Sequence, residues 1–240
     1  MITLDPSQRA ALDLVLRSRV AILTGGPGTG KTTVCHHLLA ELSKRDGLLP
    51  HEIALCSPTG KAAKRLAEQT KRPASTIHRL LGYDPSAGGF CHDAADRLPF
   101  RLILVDEASM IDVELGAALL CAVADGARVV FVGDVDQLPS VGPGRVLADV
   151  IDSGTIPTAR LTQIHRVDER SWISRNARRV LEGKAPVIAE DSKDFFWTPC
   201  ESAEAVADEI ERLCLAEPST QVLAPQKSGA CGVEALNKRL

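Results

Sequence analysis

The chain has 240 residues, a formal net charge of −3, 45% hydrophobic residues and 25% charged residues. Those proportions exclude a disordered chain, and the length admits one large domain or two modest ones. No apolar run approaches the ~20 residues of a membrane span, and Met1–Pro6 lacks the basic and apolar regions of a signal peptide.

Asp5-Pro6-Ser7 reads as a helix start, with Asp5 as cap, and Leu12, Val15 and Leu16 continue it at helical spacing. Val20-Ala21-Ile22-Leu23 predicts a buried strand, followed by a helix from Gly30 to Lys44. The alternation repeats: strand Ile53–Cys56 and helix Gly60–Gln69, strand Leu102–Val105 and helix Val113–Ala124, strand Val129–Val132 and helix Arg145–Asp152. Short apolar strands alternating with helices predict an α/β fold with a parallel sheet covered on both faces. The Gly-, Asp- and Pro-rich stretch at about 83–100 interrupts the pattern and reads as a small insertion, shaped as a hairpin. A domain boundary is expected near Ser153-Gly154-Thr155. Beyond it come helices Ser171–Leu181 and Ser202–Leu215, a strand Gln221–Leu223 and a last helix from Val233.

Charge is unevenly spread. From Ser57 to Arg79 six bases face one acid, net +5; from Arg160 to Lys184 seven face three, net +4; from Val187 to Glu217 two bases face nine acids, net −7. Two basic blocks of this kind can line a phosphate-tracking groove or simply form solvated faces. The seven cysteines are scattered and form no CxxC, which fits free thiols in a reducing cytoplasm better than a disulfide scaffold or zinc site.

Gly25-Gly26-Pro27-Gly28-Thr29-Gly30-Lys31-Thr32 satisfies GxxxxGK[ST], between a predicted strand and a predicted helix. Glycines leave the amides bare for phosphate, and the helix start adds partial positive charge. Lys31 can reach the terminal phosphates and the Thr32 hydroxyl can ligate magnesium. Asp106 and Glu107 end an apolar strand, where such sheets place their ligands. Asp106 would hold the metal, and Glu107 would orient and deprotonate the attacking water. Gln137, after the strand ending at Val132, is placed to sense the terminal phosphate or its water, although a simple polar turn would read the same. Asn237-Lys238-Arg239-Leu240 lacks the aspartate of the guanine-reading string, which favours ATP over GTP.

In order along the chain, Gly25–Thr33, Ser57–Leu66, Ser75–Gly82, Val105–Met110, Gly133–Pro139, Leu161–Arg166 and Val222–Asn237 resemble the motifs of superfamily 1 helicases, most closely the RecD family of DNA helicases. The resemblance implies a RecA-like P-loop NTPase domain over 1–153 and an incomplete second RecA-like domain over 154–240. It implies ATP with Mg²⁺ as cofactor, held by Gln8, which matches an adenine-reading glutamine, together with Gly26, Pro27, Gly28, Thr29, Gly30, Lys31, Thr32 and Thr33. Arg166 matches an arginine reaching the γ-phosphate, and Pro58, Thr59, Lys61, His78, Arg79 and Lys227 match positions that line DNA. His165 departs from the family, standing where many relatives carry tyrosine.

The expected activity is ATP-driven translocation or unwinding, five-prime to three-prime on single-stranded DNA or a duplex with a single-stranded end. Recombination or repair proteins are expected as further partners, and no membrane. Two alternatives are the helicase part of a conjugative relaxase and a DNA-binding ATPase switch that does not unwind. The family's last motifs have no counterpart before Leu240, so a carboxy-terminal truncation is expected.

Overall fold

A computed structural model describes residues 3–86, 88–163 and 171–240. In chain order these form α1 (Pro6–Arg17), β1 (Val20–Gly25), α2 (Lys31–Arg45), β2 (Ile53–Ser57), α3 (Gly60–Thr70), β3 (Ser75–Thr76), α4 (Ile77–Leu80), β4 (Tyr83–Asp84), β5 (Gly89–Phe90), β6 (Leu102–Val105), α5 (Val113–Ala122), β7 (Arg128–Gly133), α6 (Val146–Ser153), β8 (Thr158–Leu161), α7 (Trp172–Leu181), α8 (Ala203–Ala216) and α9 (Val233–Arg239). The chain divides into two compact units, residues 1–168 and 169–240.

The first unit is built on a six-stranded parallel sheet of order β3-β2-β6-β7-β1-β8. Its strands read as continuous apolar runs because both faces are covered. Leu23, Leu55, Leu104 and Val132 pack under α1, α2 and α3, while Ile22, Ile103, Val129 and Phe131 pack under α4, α5 and α6. The expected parallel α/β fold is therefore present.

Local sequence sets the element ends. Asp5 accepts from Ser7 N–H at 2.7 Å and Gln8 N–H at 2.9 Å, and Gln8 Oε1 accepts from Asp5 N–H at 3.2 Å, a reciprocal cap on α1. At the other end, Arg128 Nη1 on β7 donates to the carbonyls of Val15, Leu16 and Ser18 at 3.1, 2.8 and 2.7 Å. These are orphan carbonyls of a helix terminus, so a cation there also complements the dipole. The insertion is a two-residue antiparallel hairpin pairing Tyr83 with Phe90 and Asp84 with Gly89.

Two expectations need correction. The boundary expected near residue 154 lies further on, because β8 pairs in parallel with β1, Ile22 to Thr158 through Gly25 to Leu161, and so belongs to the first sheet. Gln221–Leu223 is not a strand: three apolar-leaning residues gain nothing from extension without a neighbour to receive their backbone hydrogen bonds. Among its described residues the second unit contains α7, α8 and α9 and no strand. Arg239 of α9 bridges Asp208 at 2.5 Å and Glu211 at 2.9 Å on α8. Asn176 of α7 clips the Val187 backbone, accepting at 2.8 Å and donating at 2.9 Å.

Candidate nucleotide site

The carboxyl ends of β1, β6 and β7 and the start of α2 border one cleft of about 430 Å³. Gly26–Thr33 form its base, and Gln8, Asp106, Glu107 and Gln137 stand around it. Thus every nucleotide, metal and catalytic candidate in the described part of the chain reaches this one cleft. Arg166 lies outside the described residues.

The phosphate loop is held closely. Gly25, at φ +157°, is extended, and a Cβ there would stand 2.5 Å from the Leu161 carbonyl oxygen. Gly30 has φ +89°, and a Cβ there would strike the Gln8 side-chain amide. Both positions therefore need glycine, one for close approach to β8 and the other for handedness and contact with α1. Thr29 Oγ1 donates to the Gly26 carbonyl at 2.9 Å, and the Thr29 carbonyl accepts from Gln8 Nε2 at 3.2 Å. Gln8 is buried, and its amide joins the α1 cap to the loop. The resemblance had implied only base reading for Gln8, so this clamp is a further task for it. Lys31 Nζ donates to the carbonyls of Gly25 and, at 3.1 Å, of Gly26.

The acid pair sits on the adjacent strand end. Asp106 N–H donates to the Cys56 carbonyl at 2.8 Å, which fixes the end of β6 against β2. Burial pushes the Asp106 carboxyl above the usual carboxylate range, and Glu107 beside it adds to that shift. The Glu107 N–H, Lys31 and Arg65 oppose it. A carboxylate destabilised in this way, in a cleft with the Thr32 hydroxyl, suits a divalent cation by both donor type and charge. Glu107 has φ +53°, a left-handed conformation that non-glycine residues adopt at a cost of ~1–3 kcal/mol. Strain at a cleft carboxylate points to a positioned group. Gln137 is tethered through Asp134, which is buried and accepts from Gln137 Nε2 at 3.3 Å and Asp136 N–H at 3.1 Å.

Arg65 and Gln69 of α3 also line the cleft, as do Thr3 and Asp5. By sequence Arg65 belongs to the net +5 basic block; its spacing of four residues from Gln69 is the signal that both share one helix face. Cys35, in α2, is buried, and burial raises its thiol far above the ordinary range, so it is inert in this setting. Among the described residues no group of three or more His, Cys, Asp or Glu could hold a metal by itself.

The DNA candidates do not share one pocket. Thr59 Oγ1 accepts from Ala62 N–H at 3.3 Å and caps α3, with Pro58 before it and exposed Lys61 after it. His78 packs by its ring on Tyr83 and Phe90, at centroid distances of 5.5 and 5.7 Å. Arg79 lines a separate groove beside β2, and Lys227 lies in the second unit.

The raised Asp106 gives an expected stability effect. A carboxyl raised on folding contributes most below the ordinary value of 3.8, and its contribution is lost as pH rises through the raised value. Asp106→Asn is therefore expected to stabilise the protein in EDTA at pH 7 by roughly 1 kcal/mol, and progressively less as pH falls toward 4. Thermal melts across that range check it; magnesium and ATP together should reverse the order by stabilising wild type alone.

The AAA domain family profile matches residues 8–143. The ATP-dependent RecD2 DNA helicase of Deinococcus radiodurans is 41% identical over 238 residues, which is 99% of this chain and 32% of that protein. The RecBCD enzyme subunit RecD of Mycobacterium tuberculosis is 42% identical over 201 residues, 74% of this chain and 35% of that protein. The chain thus spans about a third of the length of these curated relatives. The crystal structure of Pif1 helicase from Candida albicans superposes with TM-score 0.59 at 21% identity, covering 93% of this chain and 56% of that one. Bacteroides Pif1 bound to ssDNA gives 0.54 at 18% identity, with 92% and 57% coverage. At such identities these two show the fold alone. With a family match over more than half of its length and relatives above 40% identity, the chain belongs to the AAA domain family and is a homologue of the RecD-type DNA helicases.

Proposed function

We propose that the chain is the ATP-hydrolysing part of a DNA helicase or translocase that moves five-prime to three-prime along single-stranded DNA. The observation that carries this reading is the convergence of the P-loop, both acids and Gln137 on one cleft. Kinship with RecD-type helicases supplies the DNA, and a cytoplasmic setting with free thiols goes with it. Recombination or repair proteins are the partner class that this kinship favours.

The residues divide the work by position. Loop amides and the α2 start bind the phosphates, and Lys31 can exchange its two carbonyl partners for β- and γ-phosphate oxygens. Gln8, which clamps the loop and lines the cleft, would read the base. Thr32 and Asp106 would hold Mg²⁺, which supplies neutralisation of charge on the phosphates when bound. Glu107 accepts the proton of the attacking water as the water oxygen bonds to the γ-phosphorus; the β–γ bridging oxygen leaves with ADP. Gln137 orients that water or the γ-phosphate. Arg166, by its motif, completes charge stabilisation, and such an arginine can be worth ~10³–10⁵ in rate.

ATP turnover with and without oligo-dT, paired with strand displacement from a forked duplex, tests the proposal. DNA-stimulated turnover with displacement supports a helicase, and stimulation without displacement favours a DNA-binding switch. Turnover indifferent to DNA overturns both.

The basic face after β2 adds a separate expectation. Lys61 is exposed beside the Thr59 cap, in the net +5 block. Lys61→Ala should weaken oligo-dT binding and flatten the slope of log affinity against log salt by ~0.7. Titrations at several salt concentrations check this, and an unchanged slope removes Lys61 from the DNA path.

A further inference from the structure

A second concavity, a groove of about 650 Å³, borders the outer part of the sheet at Ile53–Leu55. There β3 pairs with Cys56 and Ser57 alone, so the first three residues of β2 have a strand neighbour on the β6 side only. Glu52 and Cys56 carbonyls accept from Arg101 and Asp106 N–H groups, so even-numbered residues turn their backbone groups toward β6. Alternation then turns the Ile53 carbonyl and Leu55 N–H to the open side, while the Ile53 N–H is already used by the Pro50 carbonyl. An open strand edge is a template for another extended chain.

The groove is cationic and lined by apolar surface. Arg72, Arg79 and His51 line it with Leu80 and Phe100, and among the described residues no acid does. Glu52, next along the chain, is engaged elsewhere, by Arg101 at 3.3 Å and the Leu49 N–H at 2.8 Å. Arg72 Nη1 is buried without a hydrogen-bond partner among the described residues, an uncommon state for a guanidinium donor. A strand edge between two arginines offers a peptide backbone and a carboxylate what each needs. It offers a sugar-phosphate chain the arginines and the Phe100 ring, but that chain has no peptide groups to pair with the strand edge.

We propose that this groove docks an extended acidic segment of a partner protein, which pairs with the open edge of β2 at Ile53–Leu55 and sets a carboxylate on Arg72 and Arg79. The occupant is a β-strand of about three residues, roughly 10 Å of extended chain, with acidic side chains alternating with apolar ones that meet Leu80 and Phe100. This assignment stands independently of the nucleotide cleft.

The test uses the full chain and fluorescent hexapeptides that alternate glutamate or aspartate with valine, leucine or phenylalanine, read by anisotropy. At least one is expected to bind below ~1 mM, to slow hydrogen exchange at the Leu55 amide, and to lose affinity when alternate peptide nitrogens are methylated. Arg72→Glu should weaken the acidic peptide by at least ~10-fold and favour the matching lysine peptide, with fluorescent-ATP affinity unchanged as the check on folding. Absence of binding by every peptide overturns the proposal. So does displacement of the peptide by oligo-dT whose own binding depends on Arg72, because that result assigns the groove to DNA.

Discussion

Glu107→Gln is expected to leave ATP affinity near wild type and to cut turnover by ~10²–10⁴-fold. The amide matches the carboxylate in size and can still hydrogen-bond water, but it cannot accept the proton released when water attacks phosphorus. The substitution also keeps the left-handed backbone at φ +53°, so the strain of the site is common to both proteins and the difference isolates proton transfer. In the proposed site Asp106 would still hold the cation, relieved of the neighbouring charge that raises its carboxyl. Fluorescent-ATP titration and single-turnover phosphate release measure the two halves of the expectation. Hydrolysis at the wild-type rate would assign the base elsewhere, and a parallel collapse of affinity would make Glu107 a binding group.

Lys31→Ala should instead lower affinity and turnover together, with turnover falling ~10²–10³-fold. The ammonium lines the cleft, where in the proposed mechanism it would face the bridging oxygen and β-phosphate on which charge builds as the bond to ADP breaks. Alanine also removes two hydrogen bonds to the Gly25 and Gly26 carbonyls, so some loss of loop order accompanies the loss of charge. Melting in EDTA separates the two: a midpoint within a few degrees of wild type, alongside collapsed turnover, assigns the loss to phosphate contact. Unchanged affinity and turnover would remove Lys31 from the site.

How far the site was legible depended on whether its chemistry was local. The P-loop is one contiguous string whose glycines answer demands made within eight residues, and Asp106 and Glu107 follow an apolar run that ends visibly. Gln137 was ambiguous by itself; the structure tethers it to buried Asp134 and sets it in the cleft lining, which is the ground for the role proposed for it. Gln8 shows the opposite limit. Its cap to Asp5 could be read from spacing, whereas its grip on the Thr29 carbonyl, 21 residues away, could not. Arg65 and Gln69 were hidden for the same reason: which face of α3 meets the cleft is decided by how Leu66 packs on the sheet.

The sequence by itself determined the parallel α/β alternation, most helix limits, the phosphate loop and the acid pair, because periodicity, caps and glycine placement act over one or two turns of chain. Only the tertiary structure decided that β8 joins the first sheet and that Gln221–Leu223 forms no strand. Thr158–Leu161 alternates in burial because it lies at an edge, so it carries no long apolar run. Its extension is set by the hydrogen bonds that β1 offers, and residues 221–223 have no such partner among the described residues. Strand order is likewise non-local: setting β6, β7 and β1 side by side is what brings Asp106 and Glu107, Gln137 and the phosphate loop to one cleft.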